Sequence, residues 1–316
     1  MTQPISPPPS TPPGAARYAS VFRAGLFQGE LAWVTGAGSG IGRCVAHELA
    51  ALGATVILSG RKAEKLALVA EEIGADGGRC EIKVFDIREE EEVKTAIAEV
   101  VAAHGPIHHL VNNAGGQFPA PLSAISKKGF DAVVATNLTG GFLMAREVYL
   151  QSMQRHGGAI VNMTADMWNG MPGMGHSGAA RAGMVNLTKT AAYEWAASGV
   201  RVNAVAPGWI ASSGMDSYQG AVKAIIPRLR EHVPLRRLGT EAEVSAAIVF
   251  LLSPGAAFIT GVTLAIDGGA PLGTAMFPGA NHDRSRPFSG FHRAVTPQVL
   301  GGAPVPVAPA TEKKEP

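Results

Sequence analysis

Cysteine is rare in this chain of 316 residues, in which only Cys44 and Cys80 occur. Two isolated cysteines supply neither a disulfide framework nor a metal-binding cluster, so we expect free, buried thiols, no bound metal and a reducing compartment. Long apolar runs are absent too, and the N-terminus lacks the basic start and apolar core of a signal peptide. These absences predict a cytoplasmic protein without a membrane partner.

An excess of charge of one sign is also missing. The chain carries 27 basic and 25 acidic residues, a formal net charge of +2. This balance, without a basic cluster, argues against a nucleic-acid partner. A content of 46% hydrophobic and 16% charged residues is typical of a folded globular protein. We therefore expect a small molecule as the binding partner.

Composition and periodicity divide the chain into three parts. Residues 1–20 are rich in proline and predict a flexible tail, and residues 277–316 predict a Pro/Gly-rich C-terminal extension. Between them, in 21–276, short apolar runs alternate with helical patterns. This alternation predicts one doubly wound, Rossmann-type α/β domain with a parallel seven-stranded sheet. An irregular stretch at about 208–239 predicts a substrate-covering loop.

The boundaries of these elements follow from the hydrophobic pattern. The predicted strands are Leu31–Thr35, Ala54–Ser59, Cys80–Phe85, Ile107–Val111, Ala159–Met163, Val200–Val205 and Val262–Ile266. The predicted helices are Ile41–Leu52, Glu64–Ile73, Glu89–His104, Phe130–His156, Ala179–Ala197 and Glu241–Leu252. Ligands of such sheets bind at the carboxyl ends of the strands, so the segments that follow the strands should line one cleft.

The most informative motif is the glycine-rich segment from Thr35 to Gly42, which follows an apolar strand and opens a helix. Glycines let the backbone approach a phosphate closely, and the N-terminus of a helix presents unpaired N–H groups and partial positive charge. The pattern therefore predicts a site for the pyrophosphate of a dinucleotide.

The glycine spacing resembles the short-chain dehydrogenase/reductase family, and four further motifs follow in the family's order. These are Asn112–Gly115, Thr136–Gly140, Arg201–Gly208 and Asp267–Gly269. The resemblance runs from about Phe27 to Leu272 and implies a nicotinamide cofactor and a homodimer or homotetramer. It implies these cofactor-binding residues: Gly36, Ser39, Gly40, Ile41, Asp86, Ile87, Asn113, Ala114, Gly115, Arg181, Pro207, Gly208 and Ile210. Asp86 could bind the adenine amino group or act as a helix N-cap with Glu89 in a capping box.

The end of the second strand bears on the choice between NAD(H) and NADP(H). Relatives that prefer NAD place a carboxylate there for the ribose 2′-hydroxyl, whereas this chain has Gly60 followed by Arg61 and Lys62. Arg61 and Lys62 could face solvent, but we also expect both to bind the cofactor, because an arginine fork suits a 2′-phosphate. We therefore expect NADPH/NADP+, with NADH less favoured.

The family's usual Ser, Tyr and Lys are absent from the positions at which the resemblance places the reaction site. No tyrosine lies between Tyr149 and Tyr193. Alignment of the family pattern puts Ser177 at the tyrosine position, Arg181 at the lysine position and Ala165 or Thr164 at the serine position. Arg181 can replace lysine at the ribose hydroxyls but cannot act as a base.

The segment from His176 to Gly183, with Asn186–Lys189, is similar to the peroxisomal trans-2-enoyl-CoA reductase branch and to its 2,4-dienoyl-CoA reductase cousins. This resemblance implies hydride transfer to an enoyl thioester, with an acyl-CoA as substrate. The developing enolate needs hydrogen-bond donors, for which the candidates are Ser177, Thr164 and His176, while Asn137 could order a proton-supplying water.

Other interpretations stay open. His176 or Ser177 could replace tyrosine in an alcohol or carbonyl oxidoreductase, for example one acting on a branched or terpenoid alcohol of the citronellol type. The chain could also be a non-catalytic dinucleotide sensor. His176 could instead be a surface loop residue. Several large side chains near the expected pocket could fill the core or line an acyl-chain tunnel. These are Met167, Trp168, Met171, Met174, Met184 and Trp209.

Overall fold

The computed structural model describes residues 17–272 and 280–303. Its strands in chain order are β1 (Leu31–Thr35), β2 (Thr55–Gly60), β3 (Arg79–Val84), β4 (His109–Asn112), β5 (Gly158–Met163), β6 (Val200–Pro207), β7 (Ile210–Ala211), β8 (Gly239–Thr240) and β9 (Thr263–Ile266). Seven of them form one sheet in the order β3-β2-β1-β4-β5-β6-β9, and all neighbours in it are parallel. The predicted doubly wound fold is confirmed.

Helices cover both faces of this sheet. They are α1 (Gly40–Ala51), α2 (Ala63–Ala75), α3 (Glu90–His104), α4 (Lys127–Val134), α5 (Gly140–Val148), α6 (Gln154–His156), α7 (Gly175–Glu194), α8 (Gly220–Ile225) and α9 (Glu241–Leu252). None of the helices in the described ranges is long and apolar enough to cross a bilayer.

Two helical predictions need correction. The single helix expected over Phe130–His156 is interrupted by π-helical turns at Ala135–Thr139 and Tyr149–Met153. A π turn inserts one residue into the helical repeat, and π turns are frequent at functional sites. α7 begins at Gly175 rather than at Ala179, so His176 lies in its first turn and not in a surface loop.

The core has two apolar layers because successive strand side chains point to opposite faces. On one face α1, α2 and α9 pack on β1 and β2, as with Leu49 and Ile248 beside Val34. On the other face Ile97 and Met144 lie in the layer with Trp33. This burial on both faces explains why the strands read as nearly continuous apolar runs.

The C-terminal segment, residues 280–303, packs on the domain, although its composition indicates a loose extension. Phe291 is buried with Tyr18 and Cys44 in a small apolar cluster. Arg293 forms an ion pair with Asp76 of the α2 C-cap, with N–O distances of 2.6 and 3.0 Å. Long-range contacts, which composition does not encode, hold this segment. Residues 1–16 and 304–316, at the outer ends of the two predicted flexible tails, lie outside the described residues.

The stretch 208–239 contains more regular structure than expected. It holds 3-10 turns at Ser213–Ser217 and Ile226–His232, with α8 between them. Met215, Ile226 and Leu229 form a buried apolar cluster that also contacts Val299 and Leu300 of the C-terminal segment. The loop therefore packs against residues close to the end of the described chain.

Candidate functional site

The segments that follow the central strands enclose a cleft of about 730 Å³. This placement agrees with the rule that open parallel sheets bind ligands at the carboxyl ends of their strands. Most of the predicted cofactor residues line it, namely Gly36, Ser39, Ile41, Arg61, Asp86, Ile87, Asn113, Ala114, Gly115, Arg181, Pro207, Gly208 and Ile210. Gly40 and Lys62 do not line the cleft; Gly40 is the first residue of α1 and Lys62 is the N-cap of α2.

The glycine-rich turn fits a phosphate-binding backbone. Gly36 and Gly40 have φ angles of 65° and 58°, in the left-handed region that favours glycine. A Cβ on Gly42 would lie 2.4 Å from the carbonyl oxygen of Gly36, so the turn and α1 approach too closely for a side chain. Ser39, the N-cap of α1, makes no side-chain capping bond. The first-turn N–H groups thus have no side-chain cap, and a bound anion would satisfy them.

Asn113 connects the first glycine turn to the loop after β4. Its side-chain amide donates to the Thr35 carbonyl at 2.9 Å, and its backbone N–H donates to the Thr35 hydroxyl at 2.9 Å. The Ala114 N–H donates to the same hydroxyl at 2.9 Å. These bonds fix the floor of the cleft, so Asn113 acts on a ligand through the backbone it holds.

Arg61 and Asp86 line the cleft next to the end of β2. Arg61 is 64% exposed, and its guanidinium lies 3.9 Å from the Asp86 carboxylate. Arg88, which the sequence analysis missed, binds both oxygens of Asp86 and holds the pKa of that carboxyl below its usual value. The capping-box interpretation of Asp86 is wrong, because Glu89 is the N-cap of α3 and has no side-chain cap. Arg61 keeps most of its surface available to a ligand.

Arg181 is the principal charged group of the inner cleft. Its guanidinium donates to the Met163 carbonyl at 2.6 Å, and burial lowers its pKa to about 10. It stays protonated at neutral pH, and no carboxylate in the described ranges pairs with it. A Cβ on Gly115 would lie 2.5 Å from its Nη2 atom. A buried charge with one carbonyl partner can bind further oxygen ligands, such as ribose hydroxyls.

The other predicted reaction residues are engaged with protein atoms. Asn137, in the first π turn, accepts from the Gly116 N–H at 2.8 Å and donates to the Gly116 carbonyl at 2.9 Å. The Thr164 hydroxyl donates to the Val205 carbonyl at 2.7 Å. Of these two residues only Thr164 lines the cleft. Both therefore hold backbone in place: the hydroxyl proton of Thr164 is engaged, and so is one of the two side-chain N–H groups of Asn137.

Ser177 and His176 lie behind the cleft wall and are fully buried. The Ser177 hydroxyl donates to Oε1 of Gln117 at 2.7 Å. The Nδ1 atom of His176 accepts from the Ser177 N–H at 3.0 Å, and the imidazole packs edge-on against Phe118. Neither side chain lines the cleft.

Gln117, Asp166 and Tyr218 are among the cleft residues that the sequence did not indicate as site candidates. The Gln117 amide donates to the Tyr218 hydroxyl at 3.0 Å, across 101 residues of sequence. Burial raises the pKa of Asp166, and the nearby Asp267 raises it further. The position of Tyr218 in the predicted substrate loop was the one available signal for it.

The inner wall of the cleft is largely apolar. Among the large side chains singled out from the sequence, Met171, Met174 and Trp209 line it. Met184 is buried in the protein, and Trp168 is 47% exposed. Met163 and Met215 complete the apolar lining. Such a wall suits an aliphatic substrate group.

Comparison with known proteins agrees with this architecture. A family model described as enoyl-(acyl carrier protein) reductase matches residues 36–271. The chain is 34% identical to a peroxisomal 2,4-dienoyl-CoA reductase of Danio rerio, over 82% of this chain and 87% of the relative. It is 39% identical to a glucose 1-dehydrogenase of Gluconobacter oxydans, over 78% of this chain and 93% of the relative.

Solved structures have the same fold. A citronellol catabolism dehydrogenase of Pseudomonas aeruginosa PAO1 is 64% identical, with a TM-score of 0.73, and the match covers 80% of this chain and 99% of that one. A short-chain type dehydrogenase/reductase of Mycobacterium marinum is 30% identical, with a TM-score of 0.72, over 77% of this chain and 96% of that one.

Proposed function

Because this chain belongs to the short-chain dehydrogenase/reductase family of oxidoreductases, which bind a nicotinamide dinucleotide, we propose that it interconverts a branched acyclic alcohol and its carbonyl form with NADP(H). The observation that carries this proposal is the 64% identity to a citronellol catabolism dehydrogenase across 99% of that chain. The methionine-rich wall of the cleft supports an aliphatic substrate.

The residues of the cleft fit the cofactor. The uncapped N-terminus of α1 would hold the pyrophosphate, and Arg181 would hold the nicotinamide ribose. Gly60 leaves no carboxylate at the end of β2, and the exposed Arg61 would bind a 2′-phosphate. Bound there, the nicotinamide supplies or accepts the hydride, while the protein orients the substrate and handles its proton.

Reduction of an enoyl thioester is the second candidate function. The 34% identity to 2,4-dienoyl-CoA reductases favours it, as does the expectation from the sequence that Ser177 stands at the family's tyrosine position. The geometry gives it less support, because the hydroxyls of Ser177 and Thr164 donate to protein atoms rather than to an enolate oxygen. The difference between the candidates is the atom that receives the hydride.

A substrate panel tests the proposal. Purified protein with NADPH or NADP+ is assayed on acyclic branched aldehydes and alcohols, straight-chain enoyl-CoAs and dienoyl-CoAs. We expect turnover of the branched aldehyde–alcohol pair, with NADP(H) preferred to NAD(H). Turnover of the thioesters alone would favour the second candidate. Cofactor binding without turnover of any substrate would favour the sensor interpretation and contradict both enzymatic proposals.

We also propose that the chain forms a homodimer or homotetramer. The surface shared by the first π turn, α5 and α7 is shallow and built largely of small and apolar residues, among them Leu138, Phe142, Gly183 and Leu187. Phe142 is 37% exposed on this surface. Light scattering at micromolar concentration should report twice or four times the mass of one chain, and a monomer would contradict the proposal.

A further inference from the structure

The chemistry proposed above needs a group that exchanges a proton with the substrate oxygen. The position that the family gives to tyrosine carries Ser177. This residue is fully buried, and its hydroxyl donates a hydrogen bond to Oε1 of Gln117. The Thr164 hydroxyl donates its hydrogen bond to the Val205 carbonyl. Arg181, with a pKa of about 10, is charged at neutral pH and serves as a hydrogen-bond donor. None of these three groups is a free acid–base residue in the cleft.

The four tyrosines of the chain differ in their surroundings. Tyr18 is buried with its hydroxyl on Glu48, and Tyr149 stacks on Trp195 away from the cleft. Tyr193 is 86% exposed. Tyr218 is the one that lines the cleft. A phenol is therefore present in the cleft, supplied by the substrate loop instead of by α7.

We propose that Tyr218 is the acid–base residue of the reaction and that Gln117 positions it. This inference rests on the proposed alcohol–carbonyl function. In the reducing direction, a bound nicotinamide would supply the hydride that forms the new C–H bond at the carbonyl carbon, and the carbonyl π electrons would move to the carbonyl oxygen. The Tyr218 O–H bond breaks as a new O–H bond forms on that oxygen, and water returns a proton to the phenolate. Alcohol oxidation runs these steps in reverse.

The direction of the hydrogen bonds supports this role. Ser177 donates to Oε1 of Gln117, so the other end of the carboxamide is the N–H donor to the Tyr218 oxygen. The phenol accepts on that side, and its own proton remains available to a substrate. After the proton leaves, the same N–H continues to stabilise the phenolate oxygen. Gln117 cannot carry a proton itself, so it acts by orientation.

Packing holds the phenol at this place. The Tyr218 ring lies against the cluster of Met215, Ile226 and Leu229. Next to it, the Asp216 carboxylate accepts from the N–H groups of Gln298 and Val299, both at 3.0 Å. Tyr218 is half-buried, so water can reach the phenol for proton exchange. The C-terminal segment thereby fixes the part of the loop that carries the acid–base residue.

The Tyr218→Phe variant tests the proposal, because it keeps the ring and removes only the hydroxyl. We expect kcat for the branched aldehyde to fall roughly 100- to 10,000-fold, the range for loss of a general acid. The Kd for NADPH and the melting temperature should stay unchanged. Tyr193→Phe, at an exposed position outside the cleft, is the matched control and should keep full activity.

A test of the positioning role of Gln117 needs a measurement that a change in packing alone would not alter. Gln117→Glu can accept from Ser177 but cannot donate to the phenol, and it places negative charge beside the phenolate. We expect kcat to fall roughly 10- to 100-fold with KM nearly unchanged. The alkaline limb of the pH–rate profile should move to higher pH, and Tyr218→Phe should lose that limb altogether.

The outcomes separate the two proposals. If the unmodified protein turns over the aldehyde and Tyr218→Phe retains at least half of that rate, the role of Tyr218 is refuted while the function stands. If the unmodified protein reduces no aldehyde and oxidises no alcohol, the proposed function fails and the role of Tyr218 fails with it. A large loss of kcat with intact NADPH binding supports both.

Discussion

Two parts of the cleft differ in how their polar groups are bonded. The cofactor half lies around the glycine turn and Arg61 and is proposed to bind the dinucleotide; the reaction half lies around Thr164, Ser177 and Tyr218 and is proposed to act on the substrate. At the glycine turn the N-cap Ser39 leaves the first-turn amides of α1 uncapped, and Arg61 is largely exposed. At the reaction end Thr164 and Ser177 are already bonded to protein atoms. The first half therefore has polar groups available to a ligand, whereas the second has few free groups, and the chemistry proposed above depends on those few.

This difference separates residues that build the site from residues that act in it. A polar group that is satisfied within the protein costs free energy to expose, so it tends to support structure. A buried charge with a single partner, such as Arg181, costs stability and is retained where a ligand completes it. Substitution of a supporting residue should thus lower stability, whereas substitution of a residue that binds a ligand should lower activity.

Arg181→Met should have the largest effect in the comparison. Loss of the charge removes the donor proposed for the nicotinamide ribose, so kcat/KM should fall roughly 100- to 1000-fold. The free energy of unfolding should change by less than about 1 kcal/mol, because removal of a buried, uncompensated charge offsets the lost bond to Met163. Steady-state kinetics and urea denaturation measure the two quantities.

Arg201→Met is the matched control for Arg181. The Arg201 guanidinium donates to the carbonyls of Leu251 and Leu252 at 2.7 and 3.0 Å, at the C-terminal end of α9 and away from the cleft. Its loss should lower the melting temperature and leave kcat of the folded protein unchanged. If both arginine variants lose stability and activity in parallel, Arg181 is a structural residue like Arg201.

Phe291→Ala tests whether the C-terminal segment is part of the domain. Phe291 is 3% exposed and packs with Tyr18 and against the Arg43 guanidinium. Truncation of a buried phenylalanine should lower the free energy of unfolding by about 3 kcal/mol. Chemical denaturation measures this, and an unchanged midpoint would mean that the segment contributes nothing to the folded state in solution.

Arg61→Asp sharpens the comparison at the cofactor end. A carboxylate there would repel a 2′-phosphate and could accept from a 2′-hydroxyl, so the affinity for NADPH should fall at least about tenfold, with NADH less affected. Fluorescence titration with both cofactors gives the ratio. Lys62→Asp is a useful control, since Lys62 does not line the cleft and its loss should change the ratio little.

Asp216→Asn should have the smallest effect and act on the reaction half alone. It weakens two backbone N–H bonds that tie the substrate loop to the C-terminal segment. Each such bond contributes about 1 kcal/mol, so KM for the substrate should rise roughly three- to tenfold while NADPH affinity is retained. A parallel loss of NADPH affinity would show that the two halves are coupled through the loop.

The sequence predicts the local structure of the cofactor half, its strands and its glycine turn, because the signals for both are local. The seven strands lie within one or two residues of the predicted boundaries, since each is a short apolar run between turns. The glycine turn also needs only neighbouring residues. Residues that are close together in the sequence determine these parts of the fold.

The reaction half is harder to predict because distant residues assemble it. Gln117 meets Tyr218 across 101 positions. The C-terminal segment, outside the cleft, is held in the same way, since Arg293 meets Asp76 across 217 positions. No periodic pattern in the sequence predicts contacts between residues so far apart. The roles expected for Asn137 and Thr164 also depend on where their hydrogen bonds go, and only the three-dimensional structure gives the Gly116 and Val205 partners.

The destination of the hydride tests the central claim most directly. The protein is incubated with NADPH deuterated at the transferred position and with a branched α,β-unsaturated aldehyde, a substrate that offers both a carbonyl carbon and a conjugated carbon. Mass spectrometry and NMR of the product locate the label. We expect deuterium on the carbonyl carbon of the resulting unsaturated alcohol. Deuterium on the β-carbon of a saturated aldehyde would contradict the account and favour conjugate reduction.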